Sequence, residues 1–434
     1  MNTIYLIDVT NRDGVQTSRL GLAKLEKTLL NIYLDSMGIF QSEFGFPITD
    51  HETNYLNANL ELAELGVIKN MRLSGWLRAI EADVKKAWKL VPKLKHVNLS
   101  ISTSEQMIRG KFGGRKTWED IISDTVRAVE VARENGAKSI GVNAEDASRT
   151  EMEKLIEFSK AVKKAGADRV RYCDTLGYDD PFTIYKKMKI LAEEVRMPLE
   201  VHCHNDLGMA VACSVAGAKA CIDAGQDAYI NTTVNGMGER TGNADLVSVI
   251  LALKYSSGFE KKYRLDERVN LKEAWKICKY ASYAFHVPIP INQPGVGANA
   301  FAHESGIHVD GALKDRKNYE LYDFEELGRG EPEIIDTGRK ITIGEYSGIK
   351  GFKNVYGELE IEFTDDEHAR RILELVRYAN VHTQKPLTAD ELRFIARYPE
   401  QAKNIMTMTP LKEICYIESP AVSGHQESPD RKSQ

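Results

Sequence analysis

The sequence predicts an α/β fold, a TIM (β/α)8 barrel followed by a mainly helical C-terminal region with a lid-like segment. Two observations predict it. Eight short apolar or β-rich runs recur over the first 250 or so residues, and amphipathic helical stretches lie between them. Strands that alternate with helices imply parallel βα units, and eight such units in about 250 residues are the content of one barrel. An open doubly wound sheet is the alternative, but no G-x-G-x-x-G follows the first run.

The runs are "IYLIDV" (4–9), "IFQSEF" (39–44), "MRLSGW" (71–76), "HVNLSIS" (96–102), "SIGVNA" (139–144), "RVRYCD" (169–174), "LEVHCH" (199–204) and "AYINTT" (228–233). Among the helical stretches, "TWEDIISDTVRAVEVARENG" ends at Gly136 and "TEMEKLIEFSKAVKKAGA" near Gly166, both with glycine stop signals. The pattern changes after about residue 258. "LDERVNLKEAWKICKYASYAF" reads as helix, and "HVPIPINQPGVGANAFAHESGIHVDG" as a long Pro- and Gly-rich segment, of the kind that is functional or lid-like. Residues 365–406 read as two or three helices. The expected division is a barrel over 1–258, a linker or lid over 259–330, a helical subdomain over 331–415 and a disordered polar tail over 416–434.

Composition narrows the function. The 434 residues are 42% apolar and 28% charged, enough to bury a large core, and the net charge of −5 argues against a nucleic-acid surface. The apolar part of "MNTIYLIDVT" is too short for a signal peptide, and no 18-residue apolar stretch exists, so no membrane partner is expected. Six cysteines without C-x-x-C spacing read as reduced thiols in a cytosolic protein.

Chemistry gathers at the ends of the runs, where a barrel places its active site. In "PLEVHCHNDLGMA", His202 and His204 stand two apart on a strand and therefore share a face. The first run ends "DVTNRDGVQ", which puts Asp8, Arg12 and Asp13 at the same rim; the loop after the eighth is "NGMGERTGN". Alone, an Asp after a strand is more often a helix cap, and a His more often a hydrogen-bonded core residue. Together, Asp13, His202 and His204 form an oxygen and nitrogen set suited to Mn, Mg, Co or Zn. Glu239 and Arg240 read either as site residues or as an ion pair that ties their loop.

"DVTNRDG", "VHCHNDLG", "NGMGERTGN" and "FAHESGIHVDG" resemble the motifs of the DRE-TIM metallolyases, in the Claisen-condensing branch of isopropylmalate, homocitrate and Re-citrate synthases. The likeness runs to about residue 400, and "IDVTNRDGVQTSR", "FQSEFGFP", "NAEDASRT" and "GRGEPEI" are most similar to the Re-citrate synthases. The resemblance implies that Asp13, His202, His204 and Asn243 surround the metal and that Arg12 faces a developing enolate oxygen. It implies His308 as catalytic base, Tyr319 as its partner, and Thr175 of "CDTLGY" as a substrate-carboxylate binder. It also implies acetyl-CoA as co-substrate and a homodimer with active sites shared between chains. Two features depart from the branch: Asn11 and Val15 stand within "TNRDGVQ", and the span from "HCH" to "GERTGN" is about five residues longer than in isopropylmalate synthases.

The expected reaction needs these groups. Acetyl-CoA has a weakly acidic methyl group, so a base such as His308 must take its proton while Arg12 stabilises the oxyanion. A metal would bind and polarise the 2-oxo acid. The reading is a citrate synthase acting on oxaloacetate, with homocitrate synthase as the alternative and isopropylmalate synthase, whose regulatory domain finds no room here, behind both. A lyase on the same barrel would call for a cysteine in "NGMGERTGN", which has none; a non-enzymatic binding protein would have no reason to keep metal ligands, arginine and base together.

Overall fold

The computed structural model describes residues 1–259, 263–331 and 341–408. Eight parallel strands close into a barrel: β1 (Thr3–Asp8), β2 (Gln41–Gly45), β3 (Arg72–Arg78), β4 (His96–Ser102), β5 (Ser139–Glu145), β6 (Arg169–Asp174), β7 (Leu199–Cys203) and β8 (Ala228–Thr232). Closure comes from β1, which pairs with β8 on one side, Leu6 opposite Ile230, and with β2 on the other, Ile7 opposite Gln41. All eight runs read from the sequence are strands. A two-residue strand, Arg264–Leu265, adds to β1 outside the barrel.

The strands alternate, and the alternation explains the interior. In β4, Val97, Leu99 and Ile101 are buried in the core cluster that includes residues of the surrounding helices, while Asn98 and Ser100 point into the barrel. Period-two side-chain alternation makes this division automatic. At the bottom, Tyr5, Phe40 and Tyr229 pack with ring centres 4.8–5.3 Å apart, and the Arg72 guanidinium lies 4.4 Å from the Phe40 ring centre. Above this aromatic plug the interior is ionic. Arg169 donates to Glu200 at 2.7 Å and Arg171 to Glu200 at 2.6 Å; Arg171 also binds Glu43.

Local signals set the helix ends. Thr117 and Asp120 form a capping box at Trp118–Glu134, and Asp180 caps Pro181–Val195, whose first residue is proline. Gly166 ends Met152–Ala165 in the left-handed conformation, φ 106°.

Beyond the barrel, two expectations are corrected. Only Ala274–Phe285 of the stretch read as one helix is α-helical; Leu265 belongs to the short strand, and the Asn270 side chain accepts from Lys272 N–H at the start of the turn before the helix. The Pro/Gly-rich segment contains a helix, Gly306–Lys314. Its Gly311 reads as a breaker but leaves space for Tyr319, whose ring a Cβ there would meet at 2.3 Å. Residues 365–406, read as two or three helices, form three, Asp366–Thr383, Ala389–Arg397 and Pro399–Met406, and Ile349–Glu358 is one more. This region is tied to the barrel by Lys385 to Glu26 (2.6 Å) and Tyr33 to Asp390 (2.8 Å), and to the helix Ala274–Phe285 by Tyr280 to Glu391 (2.8 Å). The expected disordered tail lies outside the described residues. No described helix is long and apolar enough to cross a membrane.

Candidate active site

The C-terminal rim of the barrel brings three of the expected side chains into contact. Asp13 follows β1, His202 lies in β7, and His204 follows it; all three are buried. His202 Nε2 lies 3.3 Å from His204 Nε2 and 3.3 Å from Asp13 Oδ2; His204 Nε2 lies 3.7 Å from that oxygen. A point equidistant from the three atoms is about 2 Å from each, the bond length of a divalent transition ion to imidazole or carboxylate. With both Nε2 atoms unprotonated, a cation between the two imidazoles would satisfy both lone pairs. Asn243, paired to His204 by a backbone bridge, has a buried Oδ1 without a partner, as does Asp13 at Oδ1. Orphaned buried acceptors beside a carboxylate and two imidazoles fit a divalent ion. Among the described residues this is the one trio of His, Cys, Asp or Glu side chains close enough to share an ion.

The electrostatics favour ligand forms. Burial alone would raise the Asp13 carboxyl, but Arg12 and the two imidazoles outweigh it and hold it well below the usual carboxylate range. Burial pushes the His204 imidazole down to about 4, with His202 adding to the effect, so it is neutral near pH 7. Asp8 differs from the expectation: it sits at the end of β1 fully buried, accepts from Thr10 N–H at 2.9 Å and Thr10 Oγ1 at 3.0 Å, and does not line the mouth.

Arg12 donates from Nη1 to Asp13 Oδ2 at 2.9 Å and from Nε to Glu43 Oε2 at 2.8 Å. Its other donors remain on the face that lines a cavity of about 180 Å³ with Asp13, Trp76, Arg171, Thr175, His202 and His204. Thr175 Oγ1 accepts from Asp146 N–H at 2.9 Å, so its own proton is free to be donated. Gly177, φ 59°, lets the loop after β6 pass the loop after β7, where a Cβ would meet the His204 carbonyl oxygen at 2.7 Å.

The "GERTGN" loop is tied mainly through Arg240 to the loop after β7 rather than by the Glu239–Arg240 pair. Arg240 is 3.9 Å from Glu239, but it grips Asp206 with two bonds of 2.9 and 3.0 Å and donates to the Thr175 carbonyl at 2.6 Å. Glu239 lines the cavity. Gly242, φ 88°, is required by the turn, since a Cβ would meet the Gly236 carbonyl oxygen at 2.0 Å.

His308 and Tyr319 are brought together with ring centres 4.4 Å apart, but neither lines this cavity. Sequence reasoning missed Glu43, Trp76, Asn143, Arg171, Glu200 and Asn231. Except for Trp76, which looks like any other apolar residue of its run, their signal was present: charged or amide residues within runs otherwise expected to be apolar.

Residues 3–280 match the family model described as HMGL-like, and residues 296–383 match homocitrate synthase post-HMGL domain-like. The chain belongs to the HMGL-like family. It is an enzyme, and its relatives bear this out. A Citrate (Re)-synthase of Dehalococcoides mccartyi is 64% identical over 95% of this chain and 99% of its own length. A 2-isopropylmalate synthase 2 of Caldanaerobacter subterraneus subsp. tengcongensis is 38% identical over 90% and 94%. Homocitrate synthase 1 of a Nostoc species is 32% identical over 90% and 96%. Among solved structures, the hydroxymethylglutaryl-CoA lyase of Pseudomonas aeruginosa shares the fold, with a TM-score of 0.53, 17% identity and coverage of 65% of this chain and 93% of that one.

Proposed function

We propose that the chain is a Re-type citrate synthase, an acyltransferase that joins acetyl-CoA to oxaloacetate in a metal-dependent Claisen condensation. The observation that carries this reading is the identity to the Dehalococcoides mccartyi enzyme along almost the whole of both chains, far above that to the isopropylmalate and homocitrate synthases.

Asp13, His202, His204 and Asn243 would hold the ion. When bound, the ion supplies Lewis-acid polarisation of the 2-keto carbonyl. Thr175 donates its free hydroxyl proton to a carboxylate of the oxo acid. Arg12, fixed by Glu43 and Asp13, presents its remaining N–H groups to the enolate oxygen. His308 takes a proton from the methyl group of acetyl-CoA, and Tyr319 packs against its ring. The methyl carbon bonds to the keto carbon, and the keto oxygen takes a proton and becomes a hydroxyl. Water then adds to the thioester, and CoA leaves as the thiol with citrate as product.

The base comes from the neighbouring chain of a homodimer. In support, His308 and Tyr319 lie away from their own cavity, and Ile307, Leu313 and Leu321 beside them are 71–83% exposed. Apolar side chains gathered around a polar pair suit a surface that another chain covers.

The test is an assay of CoA release with acetyl-CoA and oxaloacetate, 2-oxoglutarate or 2-oxoisovalerate side by side. Oxaloacetate is expected to give the highest kcat/KM. One methylene separates it from 2-oxoglutarate, worth about 10–200-fold in discrimination. A preference for 2-oxoglutarate would make the chain a homocitrate synthase, the reading favoured by the match of residues 296–383.

A further inference from the structure

We infer that Asn231 is a positioning residue for the metal: it selects the tautomer of His202 that leaves Nε2 free to bind the ion. This rests on the metal-site reading above and adds a residue to it. Asn231, in β8, is buried beneath the rim. Its Nδ2 donates to Glu200 Oε1 at 2.5 Å, and its Oδ1 lies 3.2 Å from His202 Nδ1.

The orientation of the amide follows from its surroundings. Glu200 is buried between Arg169, 2.7 Å away, and Arg171, 2.6 Å away, and these pairings hold it as a carboxylate that can only accept. The NH2 end of Asn231 must therefore face Glu200, and the oxygen end must face His202. An amide oxygen only accepts, so Nδ1 must carry the ring proton. In the neutral ring, the form that can bind an ion, the lone pair is then left on Nε2, the atom that faces Asp13 and His204. A chain of fixed donors and acceptors thus runs from the arginines in the barrel interior to one metal-binding nitrogen. Partners of this kind orient ligand imidazoles and typically account for 10–100-fold in metal affinity.

Three measurements test it. The first is the affinity of Asn231→Leu for Mn or Co alone, read by chelator competition without substrate. The second is the same measurement on Gln41→Leu, which also replaces a buried amide of the ionic interior; Gln41, however, accepts from Arg169 and does not touch His202. The expected result is affinity weakened 10–100-fold in Asn231→Leu and unchanged in Gln41→Leu, at similar thermal midpoints. Equal weakening in both, or unchanged affinity in Asn231→Leu, overturns the inference while leaving the metal site itself standing. A wild-type chain that binds neither ion overturns the metal-site reading as well. The third needs no variant to fold: ring nitrogen NMR of the metal-free wild type should find His202 protonated at Nδ1. A proton on Nε2 with none on Nδ1 sinks the proposal.

Discussion

At the scale of single residues, Arg12 shows why charge is not the whole requirement. Its guanidinium bridges Glu43 and Asp13 through two different nitrogens and still turns donors to the cavity. A lysine has one nitrogen on a flexible stem and cannot hold both carboxylates in a fixed geometry. Arg12→Lys is expected to lower kcat by about 10²–10³, the scale of losing an oxyanion donor, with little change in metal content. Near-normal turnover would reduce Arg12 to a structural role. His202→Ala and His204→Ala each remove one of three mutually close ligand atoms. Each should abolish metal binding, read as metal per chain after dialysis, and turnover with it. The far-ultraviolet circular dichroism of the barrel should be retained.

At the scale of elements, β2 and the loop after it carry two buried carboxylates whose pairing links stability to pH. Burial would raise Glu43, but Arg171 and Arg12 hold it down to about 2; Lys27 and Lys24 do the same for Glu52, also to about 2. The ordinary value of 4.5 applies to both in the unfolded chain. The folded values are the lower ones, so stability from these pairs is present above about pH 4.5 and lost as pH falls towards 2. The denaturant midpoint should fall across that window. Glu43→Gln should flatten the fall, since one linked group is gone. It should also cost about 3–5 kcal/mol at neutral pH, because two buried guanidiniums lose a counter-charge. A midpoint unchanged at pH 7 would show that the interior rearranges around the loss.

At the scale of the whole molecule, the question is where the base comes from. A base must come within about 3 Å of the proton it takes, directly or through one water. A two-fold dimer with exchanged segments would supply His308 to the neighbouring mouth. Mixing His308→Ala with Asp13→Ala chains, each inactive alone, should restore roughly a quarter of wild-type activity: half of randomly exchanged dimers are mixed, and each mixed dimer holds one intact site. If the chains demonstrably exchange and no activity returns, His308 serves its own barrel.

What the sequence determined by itself was local in origin. The eight strands were legible because their apolar alternation and the flanking glycine stops act between near neighbours. His202 and His204 were legible as a pair because two residues along a strand return to the same face. The tertiary structure decided which distant polar groups meet. Arg171 and Glu43 are 128 residues apart and are brought together across the barrel interior by the pairing of the strands between them. Asp206, not Glu239, became the firm partner of Arg240 because the loops after β7 and β8 lie side by side at the rim. The helix carrying His308 was hidden for a related reason. Glycine lowers local helix propensity, and only the Tyr319 ring packed against Gly311 shows what that glycine is for. Local periodicity shows which way a side chain points; what it meets there depends on closure of the barrel.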